Sequence, residues 1–133
     1  MDKFQITNNK SQTMVKSQIT HKPYDLEERT LEFAKTVIEL CQKLPITVVN
    51  KELIRQLVRS ATSVGANYRE ANEALGNKDF KHRMRITRKE AKETTYWLEL
   101  INNANHDFYI SLKTISQESK ELRNIFTSII EKS

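Results

Sequence analysis

Between Lys78 and Lys92 the chain places seven Lys or Arg residues against two acids, Asp79 and Glu90, an excess of five that equals the formal net charge of +5 for all 133 residues. At about 100° per residue, Lys78, Lys81, Arg85, Arg88, Lys89 and Lys92, with His82 beside them, fall within about 120° of one helical arc. Over that length a helix spreads its charges along about 20 Å, a ribbon able to follow a phosphate backbone. RNA or DNA is therefore the candidate ligand, and Tyr96 continues the line as a ring on which a base could stack. The same residues would also serve as a solvated face balanced by acids of neighbouring helices or of a second subunit, with Tyr96 an ordinary residue of a bundle edge. The two readings part on whether Lys81, Arg85, Arg88 and Lys92 point outward.

Catalytic chemistry finds few suitable residues. Neither glycine belongs to a phosphate-cradling loop, and the single cysteine, Cys41, falls on an apolar stripe, the setting of a small hydrophobe rather than a nucleophile. A di-iron bundle requires Glu-x-x-His on two helices, but the residues three before His21, His82 and His106 are Gln18, Asp79 and Asn103. No catalytic residue, metal site or cofactor is expected. Glu90 and Glu93, with Lys89 and Lys92 nearby, read as salt-bridging partners rather than as an acid/base pair.

The elements that must carry these residues are helical. Gly and Pro each occur twice, too few for the tight turns of a many-stranded sheet, and a chain of this length can bury a single core without disulfide or metal. Residues 1–22 are rich in Asn, Gln, Ser, Thr and Lys and follow no sustained helical period, which predicts a flexible arm ahead of one bundle domain over 23–133. Asp25 with Glu28 forms a capping box for helix one, whose stripe Leu26, Phe33, Ala34, Val37, Ile38, Cys41 and Leu44 ends near Pro45. Leu31 and Leu40 widen that stripe to about half the circumference, so helix one is expected to touch more than its own bundle.

Asn50 is the next candidate cap. Leu53, Ile54, Leu57, Val58, Ala61, Val64, Tyr68, Ala71 and Leu75 mark the buried side of a long second helix stopping at Gly76. A third helix starts at Asn77 or Asp79 and carries Phe80, Met84, Thr87, Ala91, Thr94, Leu98 and Ile101 inward as far as about Ala104. The fourth resumes after Asp107 with Ile115, Leu122, Ile125, Phe126 and Ile129. Short connections between four such stripes predict an all-α, antiparallel, up-down-up-down four-helix bundle. Opposite its core stripe, helix two shows a second face of Arg55, Arg59, Thr62, Ser63, Ala66, Arg69 and Glu70, whose short side chains would let another backbone approach; an oligomer interface is expected there, against the alternative of a solvated face. Gly65 falls instead on the core side beside Ala61, where close packing would offset its helix-interior cost. The apolar runs are far shorter than the roughly 20 residues that span a bilayer, and no signal peptide is recognisable, so a cytoplasmic protein with no membrane partner is expected.

The run Arg59-Ser60-Ala61-Thr62-Ser63-Val64-Gly65-Ala66-Asn67-Tyr68-Arg69-Glu70-Ala71, then Asp79-Phe80, then Lys89 to Thr94 and Tyr96-Trp97-Leu98, resembles the four-helix-bundle family of 23S ribosomal RNA intervening-sequence proteins, from about Tyr24 to Glu131. The resemblance implies a homopentameric ring of bundles with no known enzymatic activity, and a related protein is accessory to a retroelement reverse transcriptase. This sequence departs from the family pattern at Arg88, at Thr95 and in its long N-terminal arm. The resulting expectation is a non-enzymatic oligomer that binds nucleic acid through helix three. The alternative is a structural or protein-interaction scaffold, for example an accessory subunit to a reverse transcriptase, with no direct nucleic-acid role.

Overall fold

The computed structural model describes residues 25–133, and the arm expected over 1–22 lies outside them. Four helices make up the described chain: α1 over Leu26–Lys43, α2 over Val48–Asn72, α3 over Asn77–Ala104 and α4 over Tyr109–Lys132, with a short 3₁₀ turn at His106–Phe108 before α4. No strand occurs among the described residues.

Local chemistry fixes most of the boundaries. The Asp25 carboxylate accepts from the Glu28 amide at 3.1 Å, satisfying one of the donors that a helix start leaves open. Thr47, rather than Asn50, caps α2, its hydroxyl accepting from the Asn50 amide at 3.0 Å. Asn50 lies inside the helix and is buried because its side chain bonds elsewhere. Its Nδ2 donates to the Pro45 carbonyl at 2.9 Å and to Asn105 Oδ1 at 2.8 Å, and Asn105 Nδ2 donates back to Asn50 Oδ1 at 2.9 Å. This reciprocal amide pair joins the α1–α2 connection to the α3–α4 connection. The other end of α2 is earlier than its composition suggests, at Asn72 instead of Gly76, so Leu75 leaves the stripe and is 91% exposed. Gly76 instead caps α3 with a φ of 97°, a backbone region that L side chains rarely adopt.

α2 and α3 form the largest seam, α4 packs on α3, and α1 lies chiefly on α2. Leu57, Val64, Met84, Leu98, Ile101, Leu112, Leu122 and Phe126 are fully buried at the centre, and Tyr68 stacks on Phe126 with ring centroids 6.1 Å apart. Each buried side chain of this kind contributes about 1.5–3 kcal/mol relative to exposure. The expected stripes of α2 and α3 supply most of these residues. On α1 the apolar arc does not all turn inward, since Leu31 and Ile38 remain 39% and 37% exposed.

Polar residues are buried as well, and α1 contributes Thr30 and Arg29 to them. Gly65 meets α1 where a Cβ would stand 3.0 Å from Thr30 Oγ1 and 3.3 Å from Thr30 Cβ, so the absence of a side chain sets the approach of the two helices. Arg29 of α1 and Glu118 of α4, 8% and 7% exposed, form a two-pronged pair with both N···O distances at 2.8 Å, and Arg29 Nη2 also reaches Glu121 at 3.1 Å. Glu118 holds the Arg29 guanidinium above its ordinary range, while burial pushes the Glu118 carboxyl up against the opposing pull of Arg29.

Candidate nucleic-acid interface

Asp79, Glu90 and Glu93 lie outside the arc of the ribbon around the axis of α3, whereas Glu99 falls on that arc, three residues past Tyr96. Glu90 and Glu93 turn toward α2, where Arg59 donates to Glu90 at 3.5 Å and also to Glu93. Their partner is thus a cation on the neighbouring helix, not Lys89 or Lys92 as local spacing suggests. Asp79 pairs with Arg83 one turn on, at 3.6 Å. The six ribbon cations, Lys78, Lys81, Arg85, Arg88, Lys89 and Lys92, have no carboxylate within 4.0 Å among the described residues. Lys78, Arg85, Lys89 and Lys92 are exposed, as is His82, while Lys81 and Arg88 are half-buried on the flank of the arc.

Arg88 lies along the seam with α4, its Nη1 3.5 Å from Thr127 Oγ1. Thr95, the second departure from the family pattern, faces the same seam and is buried with its hydroxyl 2.6 Å from that of Ser119. Polar residues on α4 therefore meet both departures. This seam also reveals cations that lie beyond the reach of a helical wheel of helix three. Arg123 and Lys120 stand one and two turns before Thr127 on α4, and neither has a carboxylate within 4.0 Å among the described residues. The signal is present as an i, i+3, i+7 spacing, but it becomes meaningful only once Thr127 is known to face Arg88.

The second face of α2 divides in two. Thr62 and Ala66 are exposed and Ser63 is half-buried, with the hydroxyls of Thr62 and Ser63 turned back onto the Val58 and Arg59 carbonyls at 2.8 and 2.7 Å. These residues present a low, internally satisfied surface. The longer side chains around them have partners within the chain: Arg59 with Glu90 and Glu93, Arg69 with Glu27 at 3.5 Å, and Arg55 with Glu52 at 2.6 Å. Glu70 is exposed.

No group of three or more His, Cys, Asp or Glu residues is placed to hold a metal ion among the described residues. Cys41 is half-buried, and burial pushes its thiol up to about 11, which keeps it protonated at neutral pH. No described helix is long and apolar enough to cross a membrane.

Four helices packed around one apolar core, with six cations without carboxylate partners along one arc of α3, define the described residues as a four-helix bundle with a basic face. The sequence model described as "23S rRNA-intervening sequence protein" matches residues 23–129, and the chain belongs to that family. It is similar to a protein of unknown function from the S23 ribosomal protein family of Bacteroides thetaiotaomicron, known from its crystal structure. The two share 34% identity with a TM-score of 0.70, covering 78% of this chain and 96% of the other. No curated protein matches the chain.

Proposed function

We propose that this protein is a non-enzymatic oligomer that binds nucleic acid through the basic face of α3. One observation carries the reading: six cations share an arc of α3 with no carboxylate partner among the described residues, while Glu90 and Glu93 of the same helix are occupied by Arg59 and Asp79 by Arg83. Unpaired positive charge gathered in a line attracts phosphate by counterion release and is sequence-tolerant. An antiparallel up-down-up-down order is part of the proposal, supported by the pairing of Asn50 with Asn105, Ser60 with Thr94, and Arg88 with Thr127. Assembly into a ring of five follows the family resemblance and is supported by exposed Leu31 and Ile38 on α1 and by the low surface around Ala66 on α2. A cytoplasmic location suits such a molecule.

Simultaneous reversal of Lys81, Arg85 and Lys92 to Glu tests the interface. Fluorescence anisotropy with labelled RNA and DNA is expected to show loss of binding, with particle size unchanged by light scattering. Equal binding by this variant and the wild type at about 0.1 M salt would overturn the assignment.

The proposed assembly has its own test in Ala66→Arg. A bulky cation on the low face of α2 is expected to release monomers of 15.6 kDa at micromolar concentration while the helical circular-dichroism signal is retained. Unchanged particle size would remove α2 from the interface.

A second reading, a protein-interaction scaffold such as an accessory subunit to a reverse transcriptase, is favoured by a separate observation. Ile46, Val48 and Ile110 are 97%, 88% and 78% exposed, and they lie on or beside the two connections that Asn50 and Asn105 bring together. Large apolar residues gathered in this way mark protein contact sites. Under this reading the triple reversal leaves partner capture intact and an Ile46→Asp, Ile110→Asp double variant abolishes it.

A further inference from the structure

Tyr96 is 56% exposed and stands four residues, about one turn or 6 Å, beyond Lys92 along α3. By the same helical count it shares its direction around the axis with Lys78, and Lys89 and Lys92 flank that line. An aromatic ring therefore closes the row of cations at one end, and Glu99, exposed and three residues further on, ends the positive run.

The ring is held from behind. Trp97 packs edge-on against it with centroids 5.0 Å apart. Trp97 in turn donates its Nε1 proton to Glu93 at 3.2 Å, and Glu93 receives Arg59 from α2. Tyr96 thus rests against a side chain that is fixed through two further residues to the α2–α3 seam. Orienting an exposed aromatic in this way lowers the entropy lost when a flat ligand stacks on it.

Resting on the phosphate-binding reading above, we infer that the ligand of this face is single-stranded nucleic acid, whose backbone follows Lys78 to Lys92 while an unpaired base stacks on Tyr96. A base inside a duplex shows only its edges in the grooves, so its flat face is closed to a ring lying beside a backbone-tracking helix. A single strand offers both phosphate and base face, and base stacking of this kind tolerates any sequence. The cations then supply the salt-dependent part of the affinity and Tyr96 the preference for unpaired strand. RNA and DNA strands share this chemistry and are separated only by the direct comparison below.

The experiment compares a mixed-sequence single-stranded RNA, the DNA of the same sequence, and each annealed to its complement, against wild type, Tyr96→Ala and Tyr96→Phe at one salt concentration. Tyr96→Ala is expected to weaken single-strand binding by about fivefold to 100-fold while duplex binding and the salt slope stay as they were, and Tyr96→Phe is expected to match the wild type. Titration with the single strand should also quench Trp97, the sole tryptophan, in the wild type and much less in Tyr96→Ala. Unaltered single-strand affinity in Tyr96→Ala, or an equal loss on the duplex, would overturn the inference while the phosphate interface stands. Absence of wild-type binding to every probe would overturn both.

Discussion

Replacing Arg29 by alanine is expected to lower the stability of the folded chain by about 3–5 kcal/mol at neutral pH, because it leaves the Glu118 carboxylate buried without its partner. Glu121 cannot take the place of the lost guanidinium; it is another carboxylate, and it is about half exposed. The sign of the pH dependence follows from the position of Glu118. Its folded-state carboxyl already lies above the ordinary range through burial, with Arg29 opposing that shift. Removing Arg29 removes the opposition, so the variant's Glu118 takes up a proton at still higher pH than it does in the unfolded chain. The stability linked to that proton is fully present below the unfolded range and is lost as pH rises through the folded value. Urea unfolding should therefore find the Arg29→Ala deficit largest at about pH 8 and clearly smaller at about pH 5. A deficit independent of pH would mean that the lost stability comes from packing of the arginine stem. The double variant Arg29→Met, Glu118→Leu is expected to recover most of the loss, since an apolar pair needs no compensating charge.

Gly65→Leu is expected to cost about 3 kcal/mol, the upper end of overpacking effects, and to lower the thermal midpoint accordingly. Even a single added carbon would stand 3.0 Å from Thr30 Oγ1. Thr30 is fully buried and its hydroxyl is held by the Leu26 and Glu27 carbonyls at 2.7 and 3.2 Å, so it cannot swing aside without losing those bonds. Leucine places three further carbons into the same space. Gly65→Ala balances a helix-propensity gain of up to about 1 kcal/mol against this contact and should be mildly destabilising. In a Thr30→Ala background the contact is gone, and Gly65→Ala is expected to stabilise. A double-mutant cycle by chemical denaturation reads this coupling directly, and additivity of the two changes would show that Thr30 does not limit the site.

These two sites illustrate what is legible in a single sequence. Gly65 can be placed on the core side because Ala61, Val64 and Tyr68 surround it at helical spacing, and its packing against α1 follows from that placement. Asp25 marks its helix through Glu28, three residues on, since capping is local chemistry. Arg29 and Glu118 give no such signal. They are 89 residues apart, each looks like a solvated charge on its own helix, and only the packing of α1 beside α4 makes them partners. Asn50 shows a different failure of local reading: a good cap type near a helix start, it reads as the cap, but its side chain serves a pairing with Asn105, and Thr47 takes the cap.

The basic face is partly legible for the same reason. Periodicity places six cations on one arc of α3, but whether Glu90 and Glu93 neutralise them depends on Arg59, which belongs to another helix. With Arg59 occupying those acids, the ribbon is left without carboxylate partners among the described residues, and Lys120 and Arg123 belong to α4, the helix that Arg88 meets at Thr127 and that no helical wheel of α3 contains.

The most direct test of that face is the salt dependence of RNA binding by the wild-type protein. Affinity for a single strand should fall linearly on a log–log plot between about 0.05 and 0.2 M salt, with a slope of roughly −0.7 for each phosphate neutralised, and Lys81→Glu, Arg85→Glu and Lys92→Glu should each make it shallower. An affinity that does not change with salt, or no binding at about 0.1 M, would contradict a phosphate interface on α3.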